Sequence, residues 1–144
     1  SHTGFVPLRV MSSYSMLEGA IDPKAVVKLA KERAFPAIAI ADRNGLYAMP
    51  AFAGVARDAG IQPIVGSLLG VRRSADGPID SLALYAQNEA GWQNLCHLVS
   101  AAHLDRPLEL DPHVTLEQLE VVGLARAHEH GSVVLVQCGQ RRYV

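Results

Sequence analysis

The chain has 144 residues, of which 49% are hydrophobic and 19% are charged, and its formal net charge is -1. That length and composition allow one domain with a buried core and argue against disorder. The near-zero charge excludes the strongly basic surface that lets a module hold nucleic acid on its own. We find no apolar run near the roughly 18 residues of a membrane span and no pattern of a secretory leader, so we expect a soluble, cytoplasmic protein.

Short apolar runs alternate with helical patterns along the chain. The predicted strands are residues 8–10, 37–41, 61–65, 81–86 and 133–136, with 68–71 either continuing the strand before it or re-entering the sheet. The helical patterns cover 22–34, 48–59, 88–103 and, with an interruption, 120–130. Asp22 followed by Pro23 is typical of the start of a helix, and Gly60 is typical of a helix end. Thr115 and Gln118 form a capping box that starts a further helix. The repeated order of strand and helix predicts an α/β fold with mainly parallel strands.

Two architectures fit this order: an open, doubly wound sheet and part of a closed barrel. A closed barrel of eight strand–helix units takes about 250 residues, so this chain would supply only about half of one. The barrel interpretation therefore predicts an incomplete barrel, whose exposed strand edges need a partner or the rest of a longer chain. In either architecture functional side chains gather in the loops that follow the strands. Those loops are residues 11–19, 42–45, 66–68 and 87–89.

Four segments around these loops match a known family in order and spacing. They are FVPLRVMSSYSMLEGA at residues 5–20, FPAIAIAD at 35–42, AGIQPIVG at 59–66 and NEAGWQNL at 88–95. Together they resemble the PHP (polymerase and histidinol phosphatase) domain of bacterial replicative DNA polymerase III alpha subunits. The resemblance covers residues 5–119 and implies a PHP-type (β/α) barrel-like fold with mainly parallel strands. Residues 1–144 would then be a single, partial domain, the N-terminal part of the barrel, with a poorly matched tail at 120–144.

Active members of that family bind a metal cluster through a His-x-His pair after the first strand, an Asp-His motif after the second and a glutamate after the third. The matching positions here, with the carboxylate that follows the first strand, are Arg9, Met11, Glu18, Asp42, Arg43 and Leu68. Arginine does not deprotonate to become a ligand and leucine has no donor atom, whereas a hydrolytic metal site needs several imidazoles and carboxylates. The resemblance therefore implies a degenerate metal site, with no catalytic residue and no metal in this segment. Arg43 either pairs with Glu18 in place of the metal or is solvated.

Active polymerases of this family extend DNA with two magnesium ions held in a palm domain, which these residues do not contain. The resemblance therefore implies the N-terminal PHP domain of such a subunit, with a structural and docking role and no catalysis of its own. Its implied partners are the remainder of the alpha subunit, the proofreading exonuclease subunit and, through the parent enzyme, DNA. Two alternatives stay open: a stand-alone metal-dependent phosphoesterase of the PHP superfamily, and a non-catalytic α/β interaction module.

Other residues with reactive side chains favour structural roles. Ser12, Ser13 and Ser15 lack a neighbouring histidine base, so we predict that they form turns or caps and not a nucleophilic site. His128 and His130 stand two residues apart, a spacing that turns two side chains away from each other on a helix. Metal binding by that pair is therefore not expected.

Overall fold

A six-stranded sheet with helices against one side organises the part of the chain that this computed structural model describes, residues 3–15, 19–121, 124–125 and 133–136. The strands are β1 (Ala37–Arg43), β2 (Gln62–Arg72), β3 (Ile79–Ala86), β4 (Val114–Thr115), β5 (Leu124–Ala125) and β6 (Val133–Val136). The helices are α1 (Pro23–Glu32), α2 (Met49–Asp58), α3 (Glu89–Leu104) and α4 (Leu116–Val121). No helix among these residues is long and apolar enough to cross a membrane. The predicted α/β class is confirmed.

The sheet mixes parallel and antiparallel strands. Its order is β1-β2-β3-β6-β5, with β4 paired to β2. β1 and β4 both run parallel to β2, but β3 is antiparallel to β2 and to β6. The connection explains this: a short polar loop, residues 73–78, joins β2 to β3, and a parallel return would need a crossover of a dozen or more residues. The sheet that we expected to be mainly parallel is therefore a mixed one.

Capping residues set the helix boundaries. The Asp22 carboxylate accepts a hydrogen bond from the Lys24 backbone N–H at 2.9 Å before α1. The Asn88 side chain accepts one from the Gly91 N–H at 2.8 Å before α3. Gly60 follows α2 with a φ of +74°, a left-handed conformation that glycine adopts without strain. These three boundaries confirm the sequence-based predictions.

The N-terminal segment lies along β1 without forming a strand of its own. The Ala39 N–H donates to the Pro7 carbonyl at 2.9 Å, and the Ala41 N–H donates to the Val10 carbonyl at 2.9 Å. Among the described residues, these bonds amount to one isolated parallel bridge, between Val10 and Ile40, and not to a continuous ladder. The strand predicted at 8–10 is therefore extended backbone against the edge of β1.

The structure decides two further predictions. Of the two interpretations of 68–71, continuation is confirmed, because this run and the strand predicted at 61–65 form one strand, β2. The predicted capping box is present, because the Thr115 N–H donates to Gln118 Oε1 at 2.9 Å and the Gln118 N–H donates to Thr115 Oγ1 at 3.3 Å. The helix that it starts ends at Val121 and is followed by β5, so the helical pattern predicted over 120–130 is right at 120–121 and wrong at 124–125. How far the domain extends, and whether it is part of a barrel, stay predictions.

Alternation along the strands separates two faces of the sheet. On the covered face Ile40 of β1 packs with α1 and α2, and Leu69 of β2 packs with α3. The opposite face, called the inner face below, carries the buried cluster Ala39, Ala41, Leu68, Ala83 and Tyr85. Because successive side chains of a strand point to opposite sides, Asp42 belongs to the covered face and Arg43 to the inner face.

Candidate functional site

An open cleft of about 960 Å³ lies at the carboxyl end of β1, the edge at which α/β sheets collect functional groups. Its hydroxyl-bearing residues are Ser13, Tyr14, Ser15, Tyr47 and Ser81, and its charged or titratable residues are Arg43, Asp80, His103 and Asp111. The cleft therefore combines five hydroxyl groups with one guanidinium, two carboxylates and one imidazole.

Asp42 fixes the loop that forms one wall of this cleft. Its side chain is 1% exposed. Oδ1 accepts hydrogen bonds from the Ser12 N–H at 2.7 Å and the Ser15 hydroxyl at 2.8 Å, and Oδ2 accepts one from the Ser12 hydroxyl at 2.8 Å. Such bonds compensate the burial of a carboxylate. We call Asp42, Ser12 and Ser15 the serine clasp. Ser15 Oγ in turn accepts from the Arg43 N–H at 3.2 Å, which ties the clasp to the end of β1.

Asn44 shapes the turn that follows β1. It has a φ of +49°, a left-handed conformation that asparagine tolerates better than most residues. Its N–H donates to the Leu68 carbonyl at 2.8 Å, and its side-chain oxygen accepts from the Gly70 N–H at 2.9 Å. His103 Nε2 lies 2.7 Å from the Asn44 carbonyl, so this nitrogen donates and joins the end of α3 to the rim of the cleft.

The inner face carries apolar side chains where the resemblance implies metal ligands. Leu68 is fully buried, and Met11 packs against the same cluster. Arg43 is the register partner of Leu68, and its Nη1 lies 3.5 Å from the Ser81 hydroxyl oxygen at the edge of the cleft. The inner face is thus a packed apolar surface with a guanidinium at its rim.

These residues do not fit the metal cluster of the family. A thioether such as that of Met11 is a soft ligand, Leu68 has no donor atom, and the Arg43 guanidinium carries a permanent positive charge with no lone pair to give. Within the described parts of the chain, no group of three or more histidine, cysteine, aspartate or glutamate side chains is arranged to hold a metal ion. We therefore derive no chemistry through a metal here.

The structure brings together only some of the predicted site positions. Met11, Arg43 and Leu68 share the inner face. Asp42 lies on the covered face and is held by the serine clasp, and Arg9 is exposed. Glu18, His128 and His130 lie outside the described residues. The alternative roles of Arg43, pairing with Glu18 or solvation, therefore stay predictions.

The sequence reasoning missed the main role of two serines. Ser12 does form a turn, because its hydroxyl oxygen accepts from the Tyr14 N–H at 3.2 Å. However, both Ser12 and Ser15 chiefly donate to Asp42. A buried strand that ends in a carboxylate, together with a loop rich in hydroxyl groups, was the available signal.

Cys96 on α3 is a possible nucleophile by residue type, but its surroundings make it a poor one. Burial, and in second place the negative charge of Glu89, raise the pKa of the Cys96 thiol. The thiolate is the reactive form of cysteine, so the raised pKa makes this thiol a weaker nucleophile at neutral pH.

Comparisons with known proteins agree with the fold and the motifs. A model of the PHP domain family matches residues 7–140. The chain is 39% identical over 142 residues to the DNA polymerase III subunit alpha of Caulobacter vibrioides (strain NA1000 / CB15N). This alignment covers 94% of this chain and 12% of that protein. It is 40% identical over 99 residues to the error-prone DNA polymerase of Anaeromyxobacter sp. (strain K). This second alignment covers 69% of this chain and 9% of that protein. The chain thus spans a small fraction of the length of these relatives.

Among solved structures, an amidohydrolase from Chromobacterium violaceum matches with a TM-score of 0.52 and 22% identity. The match covers 67% of this chain and 32% of that one, and at this identity it shows a likeness of fold alone. The family match spans nearly the whole chain, and the polymerase alpha subunits are similar over most of it. This chain therefore belongs to the PHP domain family and is homologous to the PHP region of DNA polymerase III alpha subunits.

Proposed function

We propose that this chain is the PHP domain of a DNA polymerase III alpha-type subunit and serves that subunit as a structural and docking module with a degenerate metal site. Similarity to the Caulobacter subunit over 94% of the chain supports the polymerase context. The proposed absence of hydrolysis is supported by the inner face, where Met11, Arg43 and Leu68 offer no set of ligands for a hydrolytic metal.

In this proposal the partners follow from the parent enzyme. The remainder of the alpha subunit packs against this domain, and the proofreading exonuclease subunit docks on it. DNA synthesis, with its magnesium ions, belongs to another part of the subunit, and DNA is reached only through that part. A formal charge of -1 supports this division, because a docking scaffold needs no basic surface of its own. A cytoplasmic location goes with the same proposal.

The first experiment measures bound metal and hydrolysis on the same sample. The purified chain is incubated with zinc or manganese, desalted, analysed for metal content and assayed with a generic phosphodiester. We expect a metal content far below one ion per chain and no hydrolysis above the rate in buffer. One bound ion per chain together with hydrolysis would overturn the proposal and favour a metal-dependent phosphoesterase.

A restored ligand set tests whether the predicted positions converge. The triple variant Arg9→His/Met11→His/Arg43→His should bind zinc more tightly than the native chain if the geometry of a former site is retained. Its matched control, Arg9→His/Met11→His/Arg57→His, carries as many new histidines, but the third is on the exposed surface of α2. Equal zinc binding by the two variants, with circular dichroism spectra like that of the native chain, would contradict convergence.

Docking is tested by binding and by self-association. We expect the exonuclease subunit of the same source to bind the immobilised chain, and absence of binding at micromolar concentration would remove docking from the proposal. Light scattering over a concentration series addresses the alternative of a self-assembling interaction module. A constant monomer mass is expected, whereas a mass that grows with concentration would favour that module.

A further inference from the structure

A second cavity, of about 490 Å³, lies at the far end of β2, where this strand pairs with β4. The loop that leaves β2 forms one wall, and the start of α4 forms the other. The polar residues of its walls are Arg72, Arg73, Ser74, His113, Thr115 and Glu117. Arg72 and Thr115 are register partners, so the pairing of β2 with β4 brings the two walls together.

Two arginines reach this cavity with their terminal nitrogens available. Arg72 Nε donates to the Gly77 carbonyl at 3.1 Å, and Arg73 Nε lies 3.0 Å from Asp80 Oδ2. Each side chain is therefore oriented through Nε. Within the described part of the chain, no other hydrogen bond or ion pair holds either guanidinium. The Nη groups keep the paired N–H donors that suit an oxyanion.

A histidine side chain also lies in the wall of the cavity. His113 is only 8% exposed, and its Nδ1 lies 2.8 Å from the Asp111 carbonyl. Because a carbonyl oxygen only accepts, Nδ1 carries a proton and Nε2 is the nitrogen left for the cavity. No partner for Nε2 occurs among the described residues. In the neutral ring with a proton on Nδ1, Nε2 is an acceptor, so His113 is not counted among the donors and serves as a reporter group in the wall of the cavity.

A hydroxyl group completes the set of donors. Thr115 Oγ1 accepts from the Gln118 N–H at 3.3 Å, which leaves the hydroxyl hydrogen of Thr115 to donate elsewhere. The opposing charges are Glu117, which also lines the cavity, and Asp80, which is paired with Arg73. The cavity therefore combines two guanidinium groups and a hydroxyl donor, opposed by the carboxylates of Glu117 and Asp80.

We propose that this cavity binds a phosphoryl oxyanion through Arg72, Arg73 and Thr115. Its volume lies within the range of about 300–1,000 Å³ that is usual for small-molecule sites. The phosphoryl group belongs either to a free phosphate compound or to the backbone of a DNA strand, which share this chemistry. The proposal does not depend on the function proposed above, since it uses neither the inner face nor the cleft beside it.

The binding experiment titrates the full 144-residue chain with inorganic phosphate and follows the His113 ring resonances by NMR. We expect saturable shifts in the native chain. The double variant Arg72→Gln/Arg73→Gln should weaken binding about tenfold or more, which corresponds to about 1.4 kcal/mol. The control Arg57→Gln, an exposed arginine on α2, should bind as the native chain does. If the double variant does not fold, Arg73→Gln alone decides, since that side chain is 58% exposed.

A second variant should change the affinity for phosphate in the opposite direction. Glu117→Gln removes the acidic group that lines the cavity, so it should tighten phosphate binding a few-fold, while Glu32→Gln on α1 should not. The proposal would be overturned if the native chain showed no saturable shift up to the solubility limit of phosphate. It would also be overturned if Arg57→Gln weakened phosphate binding as much as Arg72→Gln/Arg73→Gln does.

A short single-stranded oligonucleotide without terminal phosphate distinguishes the two sources. Phosphate binding without oligonucleotide binding supports the proposal with a free phosphate compound as the ligand. Binding of both probes, with each weakened by Arg73→Gln and with a salt-dependent affinity for the oligonucleotide, supports it with a DNA strand as the source. Oligonucleotide binding that Arg73→Gln leaves unchanged, combined with no binding of phosphate, would overturn it.

Discussion

The serine clasp and the inner face lie on opposite sides of the same strand. The clasp buries a charged group and pairs it with hydrogen-bond donors, whereas the inner face buries apolar side chains. The clasp buries a carboxylate, Asp42, and satisfies it with three hydrogen bonds. The inner face buries Leu68 against apolar neighbours and leaves the adjacent charge, Arg43, at the rim of the cleft. Two consecutive residues, Asp42 and Arg43, therefore have unrelated roles because a strand sends them to different faces.

The difference explains how the cleft keeps its shape without metal ligands. In the clasp the oxygens of Asp42 are occupied by Ser12 and Ser15, which position the loop directly. On the inner face Met11 and Leu68 contribute packing. The walls of the cleft are thus held by hydrogen bonds on one side of the sheet and by apolar contact on the other. Each can be broken separately.

The largest effect is expected from breaking the clasp. Asp42→Ala leaves three donors on Ser12 and Ser15 without their acceptor in a buried site, and each lost buried bond destabilises by about 1–3 kcal/mol. We expect the free energy of unfolding, measured by urea denaturation, to fall by about 3–6 kcal/mol. Asp58→Ala, at an exposed position on α2, is the control and should change it by less than about 0.5 kcal/mol. A loss below about 1 kcal/mol for Asp42→Ala would contradict the role of the clasp.

A smaller loss is expected from the inner face. Leu68→Ala removes a fully buried side chain, and such a change destabilises by about 2–5 kcal/mol through lost transfer energy and a residual cavity. Met11→Ala should destabilise less, because Met11 is only partly buried against the same cluster. The measurement is again urea denaturation. If Met11→Ala proved more damaging than Leu68→Ala, the inner face would not be packed as described.

Local signals predicted the ends of the helices, while contacts between distant segments decided the rest. The cap at Asp22 and the glycine after α2 depend on a few adjacent residues and were predicted correctly. The direction of β3 was not, because mainly parallel strands were expected from the repeated order of strand and helix, and β3 is antiparallel to β2. The clasp depends on Ser12 and Asp42, which are thirty positions apart in the chain, and no periodicity reports such a contact.

The predicted site shows the same division. A resemblance placed Met11, Asp42, Arg43 and Leu68 in one former metal site, but alternation along β1 puts Asp42 on the other face of the sheet. The alternation itself was readable, since Ile38 and Ile40 precede Asp42 at the period of a strand. What the sequence did not reveal was which of the two faces the N-terminal loop would contact.

Removal of a second aspartate, Asp22, should lower the stability still less, and it provides a reference for the effect of Asp42→Ala. Asp22 accepts one hydrogen bond, from the Lys24 N–H, at an exposed helix start, so Asp22→Ala should lower the free energy of unfolding by about 1 kcal/mol. Asp22→Asn, which also caps well, should restore most of the loss. A loss for Asp22→Ala equal to that of Asp42→Ala would mean that burial and the number of bonds do not distinguish the two carboxylates.

The smallest effect is expected at Cys96, a titratable group outside both regions. Burial and, less strongly, Glu89 raise the pKa of its thiol, so in a Cys138→Ser background iodoacetamide should alkylate the folded chain more slowly at neutral pH than the chain in urea. The unfolded thiol loses its proton at a lower pH than the folded one, so any stability from this group is present below the unfolded pKa and is lost as the pH rises through the folded pKa. Glu89→Gln should increase the alkylation rate by less than about threefold, because the charge is exposed and screened. Equal rates for folded and unfolded chains would show that α3 does not shield Cys96, and a larger gain from Glu89→Gln would make that charge, not burial, the main cause.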